Sequence, residues 1–220
     1  MKKHLLFFAL SSMSLGAFAQ SATFGVAAGL SSSSMRGDAV NNLQDLLDFS
    51  DGMISTSNRT GFYAGVNSNI PLGSGVSLQP GLYYTQKGYE MRGDFAIKGM
   101  EFLGANAKAS LQNDYIDIPV LLKADLGGFN VFAGPQVSFL ASSKLKTTAS
   151  VLGISLLNKT MDAKDQFNSV DMGIVGGIGY EFKNGFNVSA VYNYGLSKVD
   201  ANQNVAGYNS GFKVGVGINF

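Results

Sequence analysis

Apolar residues alternate with small or polar ones along most of the chain, and the last ten positions carry the pattern most cleanly. Phe212, Val214, Val216, Ile218 and Phe220 interleave with Lys213, Gly215, Gly217 and Asn219. A period of two places the first set on one face of a β-strand and the second on the other. An apolar face ending on an exposed aromatic suits a closed barrel in a membrane, where the last strand meets the first and the outer face meets lipid.

Earlier stretches repeat the pattern. The first strand spans 21–30, with Phe24, Val26, Ala28 and Leu30 on the apolar face; a polar segment, 31–58, follows. Within it Val40, Leu43, Leu46 and Leu47 fall at near-helical spacing, either packing over the barrel mouth or forming a short partner-binding helix. The second strand covers 59–70 and, after the turn Pro71-Leu72-Gly73-Ser74-Gly75, the third covers 76–89. Residues 91–112 read as a long connection, 113–126 as the fourth strand, Gly127-Gly128 as a turn and Val131 to Phe139 as the fifth strand. A further long loop, 142–166, precedes strands at 167–182 and 186–199, joined through Lys183-Asn184-Gly185 with its Asn-Gly hairpin signature. Another connection, 200–210, leads to the closing strand.

Short and long connections thus alternate around eight strands. The pattern predicts an all-β fold, an eight-stranded antiparallel transmembrane β-barrel of up-and-down topology, with tight periplasmic turns and long extracellular loops. Both termini would lie in the periplasm. Phe24, Phe129, Phe182, Phe186 and Phe220 would ring the inner rim, and Phe62, Tyr84, Phe139, Tyr194 and Phe212 the outer one. A water-soluble lipocalin-like barrel also alternates, but would carry Lys, Glu and Asp on its wet face, where this chain has mostly Gly, Ser, Asn and Thr.

Composition adds a compartment. Lys2 and Lys3, the apolar run from Leu5 to Leu15, and Ala17-Phe18-Ala19 before Gln20 form a signal peptide with cleavage between Ala19 and Gln20. Residues 1–19 are therefore read as the signal and 20–220 as one barrel domain. Without cysteine there is neither a disulfide nor an N-terminal lipid attachment. Removing Lys2 and Lys3 leaves 14 basic residues against 15 acidic ones, which gives no reason to expect a nucleic-acid partner. Charged residues make up 14% of the chain, against roughly 25% in soluble domains. The single histidine, His4, leaves with the signal, so His-based nucleophilic and metal chemistry is closed to the mature chain. No catalytic, cofactor or metal residue is assigned.

The polar face carries the candidate chemistry. Lys87, Asp117, Asp171 and Lys213 are predicted inside the barrel near its outer end, with Lys123, Asp125 and Glu181 nearer the periplasm. Charges in a low-dielectric lumen must pair. The set reads either as a salt-bridged plug or, more sharply, as an ion or proton path, although an eight-stranded lumen is filled by side chains. The Gly25/Gly29, Gly61/Gly65, Gly173/Gly177 and Gly211/Gly215 pairs also face inward, making room for bulky neighbours. Pro80, Pro119 and Pro135 lack the N–H a ladder needs, so bulges or bends are expected beside them. Asn58 and Asn158 sit in glycosylation-like triplets, read as coincidental.

The run Tyr115-Ile116-Asp117-Ile118-Pro119-Val120-Leu121-Leu122-Lys123 resembles the fourth-strand signature of the PorT-like outer-membrane β-barrel family of Bacteroidota, and Gly134-Pro135 and the stretch from Asp171 to Glu181 agree with it. The resemblance implies an outer-membrane barrel inserted by the barrel-assembly machinery, which in such proteins reads a C-terminal aromatic. Phe220, with Ile218 and Val216, would be that assembly signal. No catalytic residues come with the resemblance.

The expectation is a monomer in contact with outer-membrane lipid and lipopolysaccharide, acting structurally or through its extracellular loops. Phe95, Ile97, Met100 and Phe102, with Val151, Leu152, Ile154, Leu156 and Leu157, are too apolar for idle solvated tips. They either extend the strands above the membrane or bind a surface partner. The alternatives are an accessory barrel of a secretion system and, more remotely, a small-solute channel or membrane-embedded enzyme.

Overall fold

The computed structural model describes residues 22–37, 54–97, 100–151, 154–200 and 207–220. The signal segment with its Ala19–Gln20 cleavage site, the spaced residues Val40 to Leu47, and Leu152 lie outside them. Among the described residues nine strands form one antiparallel sheet: β1 (Thr23–Arg36), β2 (Ile54–Gly73), β3 (Val76–Ile97), β4 (Met100–Leu126), β5 (Phe129–Val151), β6 (Ile154–Asp162), β7 (Val170–Glu181), β8 (Phe186–Gly195) and β9 (Tyr208–Asn219).

The order β4-β3-β2-β1-β9-β8-β7-β5, with β4 also pairing β5, closes a ring of eight. Closure removes every sheet edge inside the ring, which a membrane requires because lipid offers no hydrogen bonds. The seam is β1 with β9: Val26 opposes Ile218, Ala28 opposes Val216, and Phe24 and Phe220 exchange backbone bonds of 3.1 and 2.8 Å. The outward face is apolar all round. Leu30, Val66, Leu82, Leu122, Ile174, Ile178 and Val214 are among the large side chains exposed there. Aromatics gather at both margins: Tyr180, Phe182 and Phe186 in contact at the end with the tight turns, Phe62 on Tyr84 and Tyr192 on Phe212 towards the other.

Three sequence expectations change. The residues read as loops at 91–112 and 142–166 are largely strand: β3 and β4 continue as a hairpin to Ile97 and Met100, and β5 turns back into β6. The backbones of Phe95, Ile97, Met100, Phe102, Val151, Ile154, Leu156 and Leu157 belong to these extensions. Beyond the apolar band both faces of a strand meet water, so the apolar alternation that marks a half-buried strand is lost. On the same side of the ring, β7 starts only at Val170 and β8 stops at Gly195; Asn168 caps the backbone of Lys198 and Asp200 there instead.

The prolines do not cause bulges. Pro80 opposes Val120, Pro119 opposes Gln136 and Pro135 opposes Ile174 with the register unchanged on either side. On β3–β4 and β4–β5 the ladder omits rungs beside them, which accommodates a missing N–H without inserting a residue. The register shifts lie elsewhere, between Asn58 and Tyr63, Pro71 and Gly73, Phe95 and Ile97, Asp114 and Tyr115, and Ala149 and Ser150.

Glycine sets the lumen's shape where aromatics cross it. A Cβ on Gly177 would stand 2.5 Å from the Phe132 ring, and one on Gly65 the same distance from the Tyr83 ring. These rings lie flat against strands that carry no side chain there, and so fit inside a barrel of eight strands.

Candidate functional site: a buried ion cluster beneath a raised sheet

Inward parity places Thr85 and Lys87 on β3, Tyr115 and Asp117 on β4, Ser138 on β5 and Lys213 on β9 at one level of the lumen. Asp117 is the centre and is fully buried. Lys213 Nζ donates to Asp117 Oδ2 at 2.8 Å, and Lys87 Nζ stands 3.0 Å from Oδ1. Each ammonium has a second acceptor: Thr85 Oγ1 at 3.0 Å for Lys213 and Ser138 Oγ at 3.1 Å for Lys87. Lys87 also lies 4.5 Å from the Tyr115 ring centroid. A carboxylate between two lysines would leave one uncompensated positive charge. Asp171 on β7 restores neutrality nearby, held by Asn209 Nδ2 at 2.7 Å and Ser197 Oγ at 2.8 Å, and Asn209 also reaches the Tyr115 hydroxyl at 3.5 Å.

The second predicted group separates. Lys123 and Glu181 pair at 2.9 Å near the tight turns. Asp125 is exposed and caps the Gly127-Gly128 turn, accepting from both backbone N–H groups at 2.9 and 3.2 Å. It belongs to the turn and not to the lumen network. Strand parity runs out at a turn, which is why alternation misplaces it.

The ion cluster divides the interior. A cavity of about 90 Å3 lies on the tight-turn side, bounded by Tyr63, Tyr83, Asn67 and Lys123; one of about 30 Å3 lies on the other, bounded by Ser33, Lys87, Asp171 and Asn209. Gln136, Asn193 and Lys213 line both cavities, so the cluster is the partition between them. Of the signature residues, Pro119 faces the larger cavity, and Gly134 lets β5 approach the backbone carbonyl of Val120. Pro135 faces outward. The sequence pattern alone does not single out Thr85, Ser138, Ser197 and Asn209. Thr85 and Ser138 nonetheless share inward parity with Lys87 and Asp117.

Beyond the apolar band, the outer wall of the extensions is charged. Glu90 accepts from Lys108 at 2.8 Å and from Arg92 at 3.2 Å. Burial works against the Glu90 carboxylate, but the two cations outweigh it and hold its pKa below the ordinary glutamate value. Arg36 stacks on Tyr194, 3.7 Å from the ring centroid, and bonds the carbonyl of Gly195, fixing the upper end of β1 to β8.

A closed antiparallel ring with an apolar exterior, aromatic margins and a plugged polar interior defines a membrane-spanning β-barrel of the bacterial outer membrane. Residues 18–201 match the model of the outer membrane protein beta-barrel domain family, and the chain belongs to that family. Among solved structures it is similar to Neisserial surface protein A (NspA), at 14% identity and TM-score 0.47, over 90% of this chain and 99% of that one. It is likewise similar to Ail, the attachment invasion locus protein of Yersinia pestis, at 13% identity and TM-score 0.44, over 90% and 98% of the two chains. For OprG from Pseudomonas aeruginosa the figures are 12% and 0.39, over 90% and 95%. Comparison with curated proteins gave no match.

Proposed function

We propose that this chain is a non-catalytic, surface-displayed barrel that works through the sheet raised above its membrane ring. One observation carries the reading: β2 to β5 run on well past the apolar band at one end only, and β6 folds back there, while the other end has tight turns. Long extensions face the cell exterior in outer-membrane barrels and short turns face the periplasm, which puts both termini inside. The Asp117 cluster supports a closed lumen and argues against the solute-channel alternative. The run from Tyr115 to Lys123 supports a place among the PorT-like barrels of Bacteroidota, with Phe220, Ile218 and Val216 as the signal read by the barrel-assembly machinery. Monomeric insertion, contact with lipid and lipopolysaccharide, and cleavage after Ala19 follow from the same reading.

Photocrosslinking in intact cells tests it. A crosslinker at Thr160 should give adducts with surface material, and one at Asn184 should not. Adducts confined to Asn184 would replace this reading with that of a secretion accessory facing the periplasm.

A further inference from the structure

Among the described residues, β6 is the one strand of the sheet outside the ring. It pairs with β5 alone, from Lys144 opposite Asp162 to Val151 opposite Ile154, and stands last in the strand order. The membrane ring has no edges; above it the raised sheet ends at β6 on one side and, on the other, at β2, where Ile54–Asn58 pair with β3 alone. The backbone bond from Ala163 N to Ser143 O, 3.0 Å, fixes which groups face β5. Antiparallel pairs alternate between bonded and non-bonded. Counting back from Ala163, residues 161, 159 and 157 bond β5, while the N–H and C=O of Asn158, Thr160 and Asp162 point away from it. Among the described residues nothing pairs with these three, and every side chain from 157 to 162 is exposed.

We infer that the free edge of β6 is a docking site for an extended, acidic polypeptide segment, which joins the raised sheet as a further strand. The inference rests on the surface-interaction reading above and names its partner class. A row of unpaired backbone donors and acceptors is matched by another backbone in extended form, and strand addition is the general mode of such recognition. Charge selects the partner. Lys144, Lys146, Lys159 and Lys164 flank the edge, all exposed, against Asp162 and Asp165. None of the four lysines stands in an ion pair among the described residues. Lysine on an edge deters uncontrolled pairing with apolar strands, and the same lysines attract carboxylates.

A second copy of this chain does not fit. Two barrels in one membrane are related by an axis along its normal, and strands tilted by roughly 40° then cross at about twice that angle, too steep for a ladder. It would also set lysine against lysine. The site stands clear of lipid: Lys144 is five residues beyond the girdle residue Phe139, roughly 17 Å along β5 at about 3.4 Å per residue.

The test uses the full folded chain in lipid nanodiscs. The probe is a labelled nine-residue peptide alternating valine with glutamate, beside its lysine counterpart. The acidic peptide should bind, slow amide exchange at Asn158, Thr160 and Asp162 at least tenfold, and leave the membrane strands unchanged. The lysine peptide should not bind. Thr160→Pro deletes an outward N–H without touching the β5 ladder and should weaken binding at least tenfold. Lys159→Glu, which keeps the backbone intact, should weaken it similarly if the proline variant misfolds. Slow exchange at these three amides in the free chain would mean that the chain itself covers the edge, and would overturn the inference. So would binding unaffected by both variants, or no binding at all. Surface crosslinking from Thr160 persisting in cells without peptide binding would sink this site alone and leave the display reading standing.

Discussion

Replacing Asp117 by alanine strands two cations. In the native chain its carboxylate takes Lys213 at 2.8 Å and Lys87 at 3.0 Å, and all three side chains are buried. Removing one partner of a buried pair costs about 3–5 kcal/mol because the other charge is left without compensation. Here two ammoniums lose their counter-ion, though Thr85 and Ser138 still accept from them, so the upper part of that range applies. At about 1.4 kcal/mol per decade, the folding equilibrium should fall by roughly three orders of magnitude. Lys213→Met should cost clearly less, since Lys87 still pairs with Asp117, and combining it with Asp117→Ala should be milder than the sum. The assay is urea unfolding of the refolded barrel in phospholipid, read by the heat-modifiable shift in gel mobility and by tryptophan-free tyrosine fluorescence. If Asp117→Ala unfolds within about 0.5 kcal/mol of the parent, below the range for a broken buried pair, the cluster is not what holds the upper lumen.

Three further outcomes follow from the same geometry. Gly177→Ala should destabilise by about 1–3 kcal/mol through overpacking against Phe132, whereas Gly176→Ala, whose new Cβ has its nearest neighbour at 3.9 Å, should be nearly silent in the same urea titration. Val216→Arg puts a charge on the lipid face midway between the margin residues Phe212 and Phe220, and should cost about 2–4 kcal/mol and lower the folded fraction in bilayers. The lowered pKa of Glu90 means that its ion pairs add stability above the unfolded-state value, a contribution lost as pH falls through the depressed folded value. Amide exchange in the β3–β4 extension should therefore speed up on acidification, after correction for intrinsic rates, and Glu90→Gln should remove that dependence.

What could be read from the chain follows the solvent on each side of the sheet. Where one face meets lipid and the other a packed lumen, alternation is strong, and the ring strands and the inward positions of Lys87, Asp117, Lys123, Asp171, Glu181 and Lys213 are legible from it. Turn chemistry at Asn184-Gly185 marks the β7–β8 hairpin independently. Above the membrane both faces are wet, so Glu90, Lys108, Lys144 and Lys159 carry no alternating signal and the extensions read as loops. Pairing inside the lumen is also hidden, because Asp117 and Lys213 are 96 residues apart and meet only through closure of the ring. The sequence identifies them as inward charges, but which inward charge meets which depends on strand stagger. The prolines show the reverse error: a missing N–H suggests an inserted residue, but a ladder can also leave a rung empty.

The strands β4 and β5 pass without a break from the membrane ring into the raised sheet, paired from Ala105 opposite Val151 down to Leu126 opposite Phe129. That continuity makes the pair a mechanical lever. A pull on the outer end of β5 loads its rungs to β4 one after another, like a zip, and the opening front runs down to the register shift at Asp114 and Tyr115. Beneath it the sheet is closed into a ring with no free edge to peel from, and rungs must then shear together. Force from outside the cell would spend itself on renewable rungs of the raised sheet before it reached the seal of the membrane.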